Sequence, residues 1–469
     1  MALTGAFWGA KIKDLQGFLY SATCVESFLE PLKYHFIQYL PTVYSFRPVG
    51  IDVLSTIIQL NNQSYVPVAI CFLLIHITTS LMLFEVMLLL GAGTLSAFVG
   101  TLFFSLHPAG NLPIYSTAAI FDLLSAFFSI LSFWLLVLAS KADSARRCVL
   151  LFLQLVAYIM AVRSKESAIT LLGPIVAITT LEGFFRPVQR KNMKIYFIWA
   201  FVLVTVVALL VVNVDSDFRP ILSSNQHHGY EKDFSLGTIF QGLGYYLCVC
   251  VHQIDDVKPL LPIVACSILV ALAGVTLLAK NWLSFLGLIW WLSFSVILAT
   301  LTNQYVSQCY PYPPMLGAAM YLAGILTWLG SKVRSVAWKR GYGVFVVLLG
   351  ALVAFSSWCW LYQGSIANWY VLTNRERLSF AKQLEALTPP PPLGTRLVFL
   401  LSKESSLAEV DFFVKIVLRD YSYRASVVRS VDQFNAEVDK KDYSQLMKFS
   451  WDGTTLVPYK EEQLVVEAR

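Results

Sequence analysis

The sequence predicts an all-α polytopic membrane helical bundle of about ten spans with a small external C-terminal α/β domain. Three observations point there. The 469 residues are 57% hydrophobic and only 14% charged, whereas a soluble domain carries about 25% charged residues. Apolar runs close to the roughly 20 residues that a spanning helix needs recur along the chain. The basic residues between those runs gather in a few short clusters, as they do in cytoplasmic loops. The net charge of +6 calls for no nucleic-acid partner, since basic loops account for it. The lipid bilayer is the implied surrounding.

Residues 1–65 are aromatic and mixed in charge. They read as an external N-terminal segment with interfacial helices, without a secretory signal pattern. The transmembrane bundle follows over 66–362. Its spans are expected at 66–90, 92–107, 112–139, 195–214, 259–279, 282–302, 312–330 and 342–362, with shorter ones at 148–162 and 167–182. Three basic loops are expected at 140–147 (Lys141, Arg146, Arg147), 183–194 (Arg186, Arg190, Lys191, Lys194) and 331–341 (Lys332, Arg334, Lys339, Arg340). Placing all three in the cytoplasm demands an even number of crossings between each neighbouring pair. Segment 235–252 would break that parity. It contains three Gly, a Gln and a His, so it is expected to lie on the surface. The N-terminal segment, the 107–111 turn, the 163–167 knot, the 215–258 loop, the 303–311 loop and the tail then share the external side.

The tail changes character after Pro389-Pro390-Pro391-Pro392. Arg396–Leu401 (RLVFLL) and Ser426–Val431 (SVVRSV) read as strands and Phe412–Leu418 as a short helix, within an external α/β domain over 375–469. The eight Cys form no CxxC pair and read as small buried hydrophobes.

Charge at membrane depth is costly and marks candidate sites. Arg47, in Phe46-Arg47-Pro48-Val49-Gly50, can grip a phosphate through its guanidinium fork or serve as an interfacial anchor. Asp122 lies within an apolar span, downstream of His107-Pro108, and needs a partner or a task. In Arg163-Ser164-Lys165-Glu166 the charges either neutralise one another or bind an anion together. Tyr305 and Tyr310-Pro311-Tyr312-Pro313-Pro314 fit an interface belt or the lining of a sugar or lipid site. Asp14, Glu26, Glu30 and His35 precede the first span. Among them a carboxylate can act as general base or be an ordinary solvated acid. The loop residues Asp215, Asp217, His227, His228, Glu231 and Asp233 could hold a divalent metal, although a solvated loop accounts for them too. No cofactor is otherwise indicated.

Taken in order, FRPVG, an apolar helix with His76, FFSLHP, FDLLSAFF, RSKESAIT and YPYPPMLG resemble motifs of the membrane-embedded, GT-C type glycosyltransferases that use lipid-phosphate sugars. The nearest likeness is to the protein O-mannosyltransferase-like and bacterial glycosyltransferase-39-like group, over roughly residues 28–330. The resemblance implies a polyprenyl- or dolichyl-phosphate sugar donor, a hydroxyl acceptor of unknown identity and inversion at the sugar. It implies catalytic acids among Glu26, Glu30, Asp122 and Glu166. It gives phosphate-binding roles to Arg47, Arg163 and Lys165, and substrate-lining roles to His35, His107, Tyr310 and Tyr312. It assigns no metal ligand. The tail resembles small external domains of bacterial members, which favours a bacterial inner membrane over the endoplasmic reticulum.

The chain departs from that pattern in one respect. Family members open with one more span and an acidic pair in the first external loop. No spanning run precedes residue 66, and 1–50 contain neither Asp-Asp nor Asp-x-Asp. The pair is therefore expected upstream, or replaced by Asp14, Glu26 or Glu30, or missing from an inactive scaffold. A flippase for a lipid-linked saccharide is the alternative from another class, but no two-fold repeat of the kind transporters carry is visible.

Overall fold

The computed structural model describes residues 65–110, 119–185, 233–251, 262–300, 310–333 and 336–367, a C-terminal sheet between 379 and 459, and isolated positions including Val49, Gly50 and Trp199. The chain forms two compact units. One comprises Val25–Tyr115 and Ala119–Leu361, the other Met1–Cys24, Ser116–Ala118 and Tyr362–Arg469.

The first unit is helical. Its helices are α1 (Tyr65–Leu89), α2 (Thr94–Leu106), α3 (Ile120–Lys141), α4 (Ser144–Ser164), α5 (Leu172–Phe185), α6 (Leu236–Val251), α7 (Pro262–Ala279), α8 (Trp282–Ala299), α9 (Tyr312–Lys332) and α10 (Val336–Ala367, whose last turns enter the second unit's range). Seven segments among the described residues are long and apolar enough to cross a membrane: Ile70–Leu89, α3, α4, α7, α8, α9 and Lys339–Ser357. The chain is thus an integral, multi-pass membrane protein. The 22 residues of α3 rise about 33 Å, enough for a hydrocarbon core of about 30 Å.

Several boundaries differ from the sequence expectation. Segment 92–107 forms a helix of 13 residues, only about 20 Å long. Segment 148–162 is part of a longer helix, α4, of 21 residues. The Asp143 carboxylate caps α4 by accepting from Arg146 N at 3.0 Å. The basic loop 140–147 is therefore a two-residue connection, Ala142-Asp143, between helix ends. Lys141 Nζ donates to Leu89 O at 2.7 Å, and Arg147 donates to Ala139 O and Ala142 O at 3.2 and 2.7 Å. Basic side chains thus donate to carbonyls at the ends of α1 and α3. In the third basic stretch, Lys332 ends α9, while Lys339 and Arg340 belong to α10. Segment 195–214 lies mostly outside the described residues.

Glycines bring helix backbones together. A Cβ on Gly287 of α8 would stand 2.6 Å from Gly317 O, and one on Gly317 of α9 would stand 2.6 Å from Gly287 O. That reciprocal approach is how small residues serve helix pairs in membranes. The α6 helix, expected on the surface, runs along one end of the bundle. Ahead of its first turn, Asp233 N donates to Thr300 O at 2.8 Å, next to the C-terminus of α8. Its middle packs Leu243 and Tyr246 with Ala119, Ala299 and Tyr310. Near its C-terminus, Cys250 Sγ donates to Met315 Sδ at 3.8 Å.

In the second unit, β1 (Arg396–Leu401), β2 (Arg424–Val428), β3 (Leu446–Trp451) and β4 (Leu456–Pro458) form one sheet in the order β2-β1-β3-β4. β1 is parallel to β2 and β3, and β4 is antiparallel to β3. The apolar run of β1 is buried along most of its length, as suits a central parallel strand. β2 begins at Arg424 instead of Ser426, in register with Arg396. Phe380, Phe399, Phe449 and Trp451 pack ring to ring beside the sheet. Segment 412–418 lies outside the described residues.

Candidate functional site

The site begins with a charge that α3 cannot satisfy by itself. Asp122 occupies its first turn and is buried. Lys165 follows the last residue of α4 in extended backbone, φ −156° and ψ 133°. That break from the helix turns the side chain toward α3. Lys165 Nζ donates to Asp122 Oδ1 at 2.5 Å, and the two residues are 4% and 3% exposed. The ammonium also lies 4.2 Å from the centre of the Tyr310 ring, a cation–π contact strengthened by desolvation. A Lys ammonium has three donors. Among the described residues one goes to Asp122 and the Tyr310 ring faces the cation, so donor capacity remains for an incoming anion.

Two histidines frame this centre, and both serve helix ends. His76 of α1 meets Ser105 O with Nε2 at 3.1 Å and the Tyr312 hydroxyl with Nδ1 at 2.8 Å. A carbonyl only accepts, so Nε2 carries the proton and Tyr312 donates to Nδ1. Ser105 O is among the last carbonyls of α2, which have no partner within that helix. His107, the C-cap residue of α2, accepts the Ala109 amide at Nδ1, 3.1 Å away. Its ring is buried.

The structure brings Asp122, Lys165, Tyr310, Tyr312 and His107 to one end of the bundle. Arg163 lies half-buried in the last turn of α4. Glu166 opens a 3-10 turn, Glu166–Leu171, and its side chain lies outside the described residues. So do Asp14, Glu26, Glu30, His35, Arg47, Tyr305 and the acids and histidines of 215–232. The FRPVG stretch is represented by Val49 and Gly50. A Cβ on Gly50 would stand 2.5 Å from the Phe121 ring, so this segment abuts the residue before Asp122. Asp233 accepts from Ser235 N and Oγ and from Thr238 Oγ1 at 2.6–2.8 Å. Those bonds hold its carboxyl below the usual range and fix Ser235, whose Oγ accepts from Thr238 N at 3.3 Å and caps α6. Among the described residues no group of three or more His, Cys, Asp or Glu could hold a metal. In the sequence His76 stands only inside a motif, apart from the candidate site residues. Trp290, which donates to Pro313 O at 3.0 Å, carries no signal of its own there.

No protein-family model matches the chain, and no curated protein does. Among solved structures, its fold is similar to that of ArnT from Cupriavidus metallidurans in the apo state. The identity is 14% and the TM-score 0.49, covering 90% of this chain and 84% of that one. It is also similar to the archaeal oligosaccharyltransferase AglB from Archaeoglobus fulgidus in complex with an inhibitory peptide and a dolichol-phosphate. Here the identity is 11% and the TM-score 0.47, covering 85% of this chain and 59% of that one.

Proposed function

We propose that the protein is a membrane glycosyltransferase that moves a sugar from a polyprenyl- or dolichyl-phosphate donor to an acceptor hydroxyl, with inversion, on the external face. The observation that carries this reading is the buried Asp122–Lys165 pair beneath Tyr310. Two motifs 43 positions apart meet there, at the opposite end of α3 from Lys141. A net-neutral pair with unused donors can accept the charge that develops on a departing lipid phosphate.

In this reading Lys165 and Arg163, with Arg47 three positions before Gly50 in the chain, stabilise the phosphate. Asp122 is a positioning residue that aims Lys165. Glu26 or Glu30 takes the acceptor proton, and Glu166 is the further acid of its motif. Tyr310 and the N-terminal His35 line the sugar. The proton leaves the acceptor hydroxyl as its oxygen bonds the anomeric carbon, and the sugar–phosphate bond breaks toward the lipid.

The test is sugar release or transfer from a labelled polyprenyl-phosphate sugar by reconstituted protein. Arg47→Ala and Lys165→Met are expected to lower turnover by about 100- to 1,000-fold. Wild-type protein that binds the lipid yet turns over nothing overturns the enzyme reading. Translocation of the saccharide without transfer identifies a carrier instead.

A further inference from the structure

We infer that Tyr310-Pro311-Tyr312 is a clamp that positions Lys165 by tying it, through Tyr312 and His76, to the end of α2; this rests on the transferase reading. Three helices outside the segment hold it. Lys165, at the end of α4, sits on the Tyr310 ring at 4.2 Å. His76, on α1, receives the Tyr312 hydroxyl at 2.8 Å. Trp290, on α8, donates to Pro313 O at 3.0 Å. The segment between these anchors is stiff. Pro311 has φ −65° and ψ −16°, and Pro313 and Pro314 follow in the first turn of α9. Proline rings fix φ near these values. Its backbone also closes on itself, Met315 N donating to Pro311 O at 3.1 Å.

Stiffness makes the two tyrosines act together. They are two residues apart, a Cα separation of about 7 Å or less, with little torsional freedom between them. The Tyr312 ring packs on Phe104 at 5.2 Å, and His76 stacks on the same ring at 5.5 Å. A shift of the C-terminal end of α2 against His76 of α1 is therefore passed through Tyr312 to Tyr310, and so to the ammonium it faces. His76 has no spare nitrogen for substrate, since both carry bonds. Its contribution is positional.

Tyr312→Phe tests this, because it removes one hydroxyl and keeps the packed ring. Loss of the donor is read directly as a change in the imidazole ¹⁵N shift of His76. With that change seen and thermal unfolding still cooperative, Lys165 is expected to react faster with a small membrane-permeant acylating reagent, as read by peptide mass spectrometry. Turnover of the polyprenyl-phosphate sugar is expected to fall about 10- to 100-fold in kcat, with donor KM little changed. Unchanged Lys165 reactivity overturns the clamp, and so does a freed Lys165 with unchanged kcat. If wild-type protein transfers no sugar, the transferase reading falls by itself, and Lys165 reactivity still decides whether the clamp exists.

Discussion

A carboxylate in the first turn of an apolar helix would be expelled or protonated unless a cation met it. Asp122 stays because Lys165 leaves its helix in extended backbone to reach it. Removing either partner strands the other. Asp122→Leu and Lys165→Met are each expected to cost about 3–5 kcal/mol of stability. The double variant Asp122→Leu/Lys165→Met is expected to recover most of that loss, because an apolar pair carries no desolvation penalty. Denaturant unfolding in detergent micelles, read as a double-mutant cycle, checks this, and additive losses would count against a coupled pair. The stable double variant should still transfer no sugar, which separates folding from chemistry.

At the scale of elements, apolar runs announced most helices, and RLVFLL announced β1 residue for residue. Helix ends were harder to read. Arg146 and Arg147 looked like loop residues, yet both lie in α4 because its end projects charge toward water and toward the carbonyls of α3. Asp122, Lys165, Tyr310 and Tyr312 stood out in the sequence as polar groups near apolar runs. Their pairing did not, since Lys165 lies 43 positions from Asp122 and Tyr312 lies 236 from His76. Periodicity marks a face of a helix but not the helix it will meet. Glycine spacing was equally silent about which crossing it serves. The crossing of α8 and α9 depends on Gly287 and Gly317, where a Cβ on Gly317 would stand 2.5 Å from Trp291 N. Gly317→Ala is expected to push the helices apart and cost about 1–3 kcal/mol. Gly274→Ala in α7, where a Cβ would meet nothing within 4 Å, is the matched control. It should be neutral or stabilising by up to about 1 kcal/mol. Thermal unfolding of the two variants side by side decides it, and equal effects would deny the close crossing.

Across the helical unit, charge is divided between the two ends. Lys141, Arg146 and Arg147 cluster where α3 gives way to α4, and Lys332, Lys339 and Arg340 where α9 gives way to α10. Lys280 marks the turn from α7 to α8 at that same end, its φ of 47° making the tight connection. The opposite end holds the Asp122–Lys165 pair, the YPYPP segment and α6, ahead of which Asp233 accepts from Ser235 and Thr238. Basic helix ends stay on the cytoplasmic side during insertion, so the candidate site should face the other compartment, where lipid-linked sugars would meet it. Single cysteines test this in a background with the eight native cysteines replaced. Ser144→Cys reports the basic end. Gly237→Cys reports the start of α6, where the position is exposed and a Cβ meets nothing within 4 Å. A membrane-impermeant maleimide added outside sealed right-side-out vesicles is expected to label Gly237→Cys at once, and Ser144→Cys only after permeabilisation. The reverse pattern would put Asp122 and Lys165 on the cytoplasmic side and remove the external-face reading along with its donor.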